Sequence, residues 1–161
     1  MAELKDISLF LLDMDGTVNL GFDPIDGAKD FLDEVRKQGK NYIFLTNNSS
    51  RNAGDYVEKM RKLGFFCERE NVFTSGMAAG LFLKKNKPDA RVYVCGTRSL
   101  CEEVKSYGVN VTEDNADTVL LGYDTELNYE KIKKVCALLS EGADYYATNV
   151  DMVCPIEGGR Y

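Results

Sequence analysis

Six apolar residues, Ile7 to Leu12, run unbroken into the acidic turn Asp13-Met14-Asp15-Gly16-Thr17. Six residues are too few for a core helix, and they suit a strand buried on both faces, as in a parallel sheet. A strand of that kind that stops at two carboxylates constrains the fold strongly. Open α/β sheets place their ligands at the carboxyl ends of parallel strands. The first expectation is therefore an α/β chain with a polar site at the end of its first strand.

The rest of the sequence alternates in a way that fits. Ala28 to Gln38 reads as a helix with Ala28, Phe31, Leu32 and Val35 inward, and Gly39 is placed to end it. Tyr42 to Leu45 is a second short strand, ending in the polar cluster Thr46-Asn47-Asn48-Ser49-Ser50-Arg51. Ser49 or Ser50 is positioned to cap a following helix whose apolar face is Tyr56, Val57, Met60 and Leu63. Asn71 to Thr74 is a weaker strand, and Ser75 a candidate cap for a helix to about Asn86. Pro88 marks a break. Beyond it a second series begins: strand Val92 to Cys95, a helix with Leu100, Val104 and Tyr107 inward, and strand Thr118 to Leu121. A helix with Ile132, Val135 and Cys136 inward and strand Tyr145 to Thr148 complete it. Such repeats imply parallel sheets with right-handed crossovers, in two units, residues 1–88 and 89–161.

Charge and composition exclude several functions. The 161 residues carry a net charge of −6, which disfavours nucleic acid and anionic membranes as partners. No apolar stretch reaches membrane-spanning length and no basic leader precedes Ile7, so a cytoplasmic protein is expected. Cys67, Cys95, Cys101, Cys136 and Cys154 are scattered without a CxxC spacing, which fits reduced thiols rather than a zinc site. There is no histidine. Catalysis by imidazole is thereby removed, and what remains is carboxylate, hydroxyl, amide, lysine or a hard metal ion.

Asp13 and Asp15, two residues apart, can play different parts at one site. One can attack as a nucleophile, while the other protonates a leaving group and later activates water. Gly16 allows close approach of a ligand to the backbone. Thr46, Asn47 and Asn48 can donate hydrogen bonds to phosphoryl oxygens. A phosphate dianion does not approach two aspartates unaided, so the pattern asks for Mg²⁺. A nucleotide-binding module would want a glycine-rich loop after the first strand, where this chain has acids.

The strings DMDGT (Asp13 to Thr17) and TNNSS (Thr46 to Ser50) resemble motifs I and II of the haloacid dehalogenase superfamily. The longer stretches DMDGTVNLGFDPIDGA, FLTNNSSR, FTSGMAAGLFL, VYVCGT, LLGYD and YYATNVD resemble its NagD/4-nitrophenylphosphatase-like subclass IIA, along essentially the whole chain. The resemblance implies a partial Rossmann-like core over residues 1–88 and an α/β cap domain over 89–161. It implies a phosphatase for small phosphorylated metabolites, with Asp13 as nucleophile and magnesium ligand. Asp15 would be the general acid/base with its backbone carbonyl on the metal, and Thr46 and the Asn47 amide would hold the phosphoryl group. Tyr123 and Cys154 correspond to cap positions that touch substrate, and pairing of two copies through the cap is implied as well.

Two motifs of the superfamily, a lysine that neutralises the phosphoryl group and an acidic pair that completes the metal site, cannot be assigned in these residues. The expectation is a C-terminally truncated chain, inactive alone, whose first strand is an exposed apolar edge. The alternative is a non-catalytic piece that binds a phosphorylated ligand or a complementing C-terminal fragment.

Overall fold

The computed structural model describes residues 6–151, which divide into two compact units. The first comprises residues up to Thr46 together with Gly54–Phe73 and Asp151; the second comprises Asn47–Ala53 and Thr74–Val150. No helix among the described residues is long and apolar enough to cross a membrane.

The first unit opens with strand β1 (Leu9–Asp13), followed by a small antiparallel hairpin, β2 (Asn19–Leu20) and β3 (Asp23–Pro24). Helix α1 (Ala28–Lys37), strand β4 (Asn41–Thr46), helix α2 (Ala53–Lys62) and strand β5 (Val72–Thr74) come next. The sheet order is β1-β4-β5, and β1 runs parallel to β4 in the register Leu9↔Asn41 to Asp13↔Leu45. Strand β4 alternates as a half-buried strand should, with Tyr42, Phe44 and Thr46 buried. Its aromatic rings pack in sequence, Tyr42 on Phe44 at 5.1 Å between centroids and Phe44 on Phe65 at 6.4 Å. Leu32 and Val35 of α1 and Tyr56 and Met60 of α2 complete this core. Fully burying each such side chain is worth roughly 1.5–3 kcal/mol.

Strand β1 is not buried on both faces, as its apolar run alone suggested; it is the exposed apolar edge expected where the later motifs are not assigned. Leu9 is 44% and Leu11 59% exposed, on one face of β1, and among the described residues β1 hydrogen-bonds only to β4 and so lies at the sheet edge. Phe31, expected inward on α1, is also exposed and meets Phe10 edge-to-face at 5.5 Å. Neither Ser49 nor Ser50 caps α2. That helix starts at Ala53, whose amide donates to the Glu103 carboxylate.

The second unit holds helix α3 (Ser75–Asn86), strand β6 (Arg91–Cys95), helix α4 (Arg98–Ser106) and strand β7 (Asn110–Val111). Strand β8 (Thr118–Leu121), helix α5 (Tyr129–Ser140) and strand β9 (Asp144–Ala147) follow. The cap of α3 is Thr74 rather than Ser75, its hydroxyl accepting from the Met77 amide. The strands form a parallel sheet ordered β7-β6-β8-β9. Because side chains alternate along a strand, β6 and β8 feed two cores. Val92, Val94 and Leu120 pack with Leu83, Leu100 and Val104, while Tyr93, Cys95 and Val119 pack with Leu138. Helices therefore cover both faces, a doubly wound arrangement. Ile132 and Cys136 are exposed instead of inward, since α5 meets the sheet through Val135, Leu138 and Leu139.

Candidate active site

The parallel register carries Asp13 and Thr46 to the same end of the first sheet. Asp13 is paired with Leu45, so Thr46 is the next residue on the neighbouring strand. Asp13 is exposed, and its Oδ1 accepts the Met14 amide hydrogen at 2.9 Å. Thr46 is buried, and Asn47, the first residue of the second unit, is exposed.

A tight turn follows Asp13. The Thr17, Val18 and Asn19 amides all point to the Met14 carbonyl, and the Gly16 amide donates to the Asn19 carbonyl at 2.8 Å. Gly16 has φ of +88°, a left-handed conformation that a side chain would strain. Met14 is fully buried, and it anchors the turn so that the residues on either side of it face outward.

The Asp15 carboxylate is not loose. Its Oδ1 accepts from Asn19 Nδ2 at 3.2 Å and from Lys59 Nζ at 3.4 Å. Asn19 is fully buried, and its Nδ2 also donates to the Gly21 carbonyl at 3.0 Å. Two acceptors facing that nitrogen fix the amide orientation and leave Asn19 Oδ1 buried without a hydrogen-bond partner. Lys59 is only 9% exposed. Sequence reasoning missed both residues. The signal for Lys59 was its helical position, since it falls on the arc of Tyr56, Met60 and Leu63, where an isolated charge is costly.

Asp13 and the Asp15 carbonyl are hard oxygen donors of the kind Mg²⁺ accepts, alongside several waters. No cluster of three or more acidic, cysteine or histidine side chains occurs among the described residues.

The polar loop after β4 is built into the second unit. Ser49 is fully buried, its Oγ 2.8 Å from Thr148 Oγ1 and accepting the Tyr123 amide at 2.9 Å. The Ser50 carbonyl accepts from Thr97 Oγ1 at 2.8 Å, and the Asn47 carbonyl from Ser75 Oγ at 2.8 Å. Glu103, also buried, takes the Ala53 amide at 2.9 Å on one oxygen and the Thr74 hydroxyl on the other. Tyr123 is 42% exposed at the end of β8. Cys154 lies outside the described residues.

A cavity of about 780 Å³ lies wholly within the second unit, between α4, α5 and the β7 edge. None of Asp13, Asp15, Thr46, Asn47 or Tyr123 lines it. Of the five cations that line it, Arg98, Lys131 and Lys133 are paired with Glu102, Asp124 and Glu130, while Lys105 and Lys134 are in no such pair among the described residues.

Comparison with known proteins adds the family. The sequence profile described as haloacid dehalogenase-like hydrolase matches residues 10–110. The chain is 33% identical over 156 residues to the 5'-nucleotidase YutF of Bacillus subtilis, covering 97% of this chain and 61% of that protein. Among solved structures, a 4-nitrophenylphosphatase from Thermotoga maritima superposes with a TM-score of 0.90 at 39% identity, over 96% of this chain and 59% of that one. A glycerol phosphate phosphatase from Mycobacterium tuberculosis, in complex with magnesium, gives 0.88 at 33% identity, over 96% and 48%. The chain thus spans about three-fifths or less of the length of these relatives.

Proposed function

Because the chain belongs to the haloacid dehalogenase-like hydrolases, we propose that it carries the nucleophile-bearing part of a phosphatase for small phosphate monoesters. The observation that carries the reading is the register that sets Asp13 and Thr46 side by side at the strand ends, with Asp15 held two residues beyond. The names of the relatives, a nucleotidase and phosphatases, support the substrate class.

Asp13 uses its second carboxylate oxygen to attack phosphorus in line with the leaving oxygen, since Oδ1 is occupied by the Met14 amide. The P–O bond to the leaving group breaks as Asp15 delivers a proton to that oxygen, and phosphate remains as an acyl phosphate on Asp13. Asp15 then takes a proton from water, which attacks the phosphorus and restores the Asp13 carboxylate. The Thr46 hydroxyl and the Asn47 amide hold the non-bridging oxygens. Mg²⁺ bound by the Asp13 carboxylate and the Asp15 carbonyl would offset the negative charge gathered at this point. Tyr123, and Cys154 with it, would contact the substrate's organic group, with the second unit acting as the cap.

The exposed apolar edge of β1 favours one addition. A further strand paired along β1, from a longer chain or from a complementing fragment, would satisfy its open backbone edge and flank Asp13.

The test is hydrolysis of 4-nitrophenyl phosphate by the full-length protein, with magnesium and with EDTA. Replacement Asp13→Asn is expected to lower kcat by about a thousandfold or more, as loss of a nucleophile does. Unchanged turnover in that variant overturns the reading.

A further inference from the structure

We infer that Lys59 is a positioning residue that, with Asn19, clamps one oxygen of Asp15 and leaves the other aimed for proton transfer; this rests on the phosphatase reading. Lys59 stands on the inner arc of α2 between the buried residues Tyr56, Val57 and Met60 and is itself 9% exposed. A methionine or leucine there would meet the needs of packing. An ammonium in such a place costs several kcal/mol unless a counter-charge meets it. The carboxylate that meets it is Asp15, 3.4 Å from Nζ, and the Phe22 ring is 5.9 Å away on the same charge.

Both contacts to Asp15 fall on a single atom. Asn19 Nδ2 and Lys59 Nζ reach Oδ1, and Oδ2 takes no hydrogen bond among the described residues. Asn19 is in turn fixed by the Gly21 carbonyl. A carboxylate held through one oxygen by a buried cation and a buried amide keeps one rotamer, with Oδ2 presented outward. A group that must hand a proton to a leaving oxygen needs that orientation. With Lys59 buried, the contact both meets the ammonium's need for a counter-charge and fixes where Asp15 sits.

Two readouts test this in the full-length protein. The first compares kcat/KM for 4-nitrophenyl phosphate, whose leaving group departs without a proton, with that for glycerol phosphate, whose alkoxide needs one. In Lys59→Met the loss with glycerol phosphate is expected to exceed the loss with the nitrophenyl ester by about tenfold or more. Lys59→Arg should recover most of it. Equal losses on both esters, or none, overturn the inference while leaving the phosphatase reading intact. The second is a crystal structure of each protein. Asp15 should hold one rotamer in the wild type and spread over several in Lys59→Met, and a single unchanged rotamer overturns the inference. If the wild type hydrolyses neither ester, the phosphatase reading fails and the crystal structures decide the positioning on their own. If Lys59→Met does not fold, Lys59→Gln, neutral and of similar bulk, is read in its place.

Discussion

Ser49 and Thr148 stand 99 residues apart in sequence, yet their hydroxyls are 2.8 Å apart. Ser49 Oγ also receives the Tyr123 amide, so one buried oxygen joins the loop after β4 to the ends of β8 and β9. Ser49→Ala leaves a backbone N–H and a hydroxyl without their partner. The expected cost is about 1–3 kcal/mol, read from the urea midpoint at constant slope. Gly122→Ala should be at least as harmful. A Cβ there would come 2.2 Å from Leu100 Cδ2 and 3.0 Å from Ser49 Oγ, which forces the second core apart.

Glu103 organises the other end of the same loop. Its two oxygens accept from the Ala53 amide and the Thr74 hydroxyl, the start of α2 and the cap of α3. Glu103→Ala strands both donors in a buried place and should cost on the order of 2 kcal/mol or more. At ~2–4 °C per kcal/mol for a chain of this size, a thermal melt resolves it. A melting temperature within one degree of wild type contradicts the role.

Cysteine reactivity should follow burial. Burial pushes the Cys67 thiol up to about 11, with Arg61 pulling the other way, and burial likewise raises Cys95 and Cys101. At pH 8 the buried Cys67 thiol stays protonated and shielded, whereas Cys136 is exposed on α5. Brief treatment with iodoacetamide followed by peptide mass mapping should modify Cys136 well ahead of Cys67. Equal labelling of the two in the folded protein would contradict the packing of the first unit.

Partial burial pushes the Asp117 carboxyl up. It is outweighed by hydrogen bonds from the Arg91 side chain and amide and the Thr118 hydroxyl, and the carboxyl ends below its ordinary 3.8. A folded value below the unfolded one means stability that is present above pH 3.8 and lost as pH falls through the folded value. Asp117→Asn should therefore lower the melting temperature slightly at pH 7, the pair being half exposed, and the gap should narrow as pH falls below the ordinary 3.8. A gap that widens on acidification contradicts the assignment.

Strand–helix alternation was legible because short apolar runs and helical arcs are local. β1, β4, β6, β8 and β9 all fall on runs that ended in polar or acidic residues. The acidic loop was legible for the same reason, since Asp13, Asp15 and Gly16 are neighbours in sequence. What could not be read is whatever depends on a distant partner. The helical arc marks Lys59 as unusual, but its partner Asp15 lies 44 residues earlier and is met only in the fold. Ser49 reads as a helix cap until Tyr123 and Thr148 claim its hydroxyl. The apolar composition of β1 suits a central strand and an edge strand equally, and only the unassigned later motifs pointed to the open edge on which Leu11 is exposed. The short strands β2, β3 and β7 carry two residues each, too few to show a period.

The path of the backbone changes unit after Thr46, Ala53, Phe73 and Val150, so neither unit is one continuous stretch of sequence. Grafting the later body from a relative would therefore fail if the cut were made near Pro88. The foreign piece would arrive without the seven-residue segment 47–53 that its own Thr97, Tyr123 and Glu103 counterparts are shaped to grip. A workable chimaera must exchange that segment and α3 as well, and recombination in nature faces the same restriction.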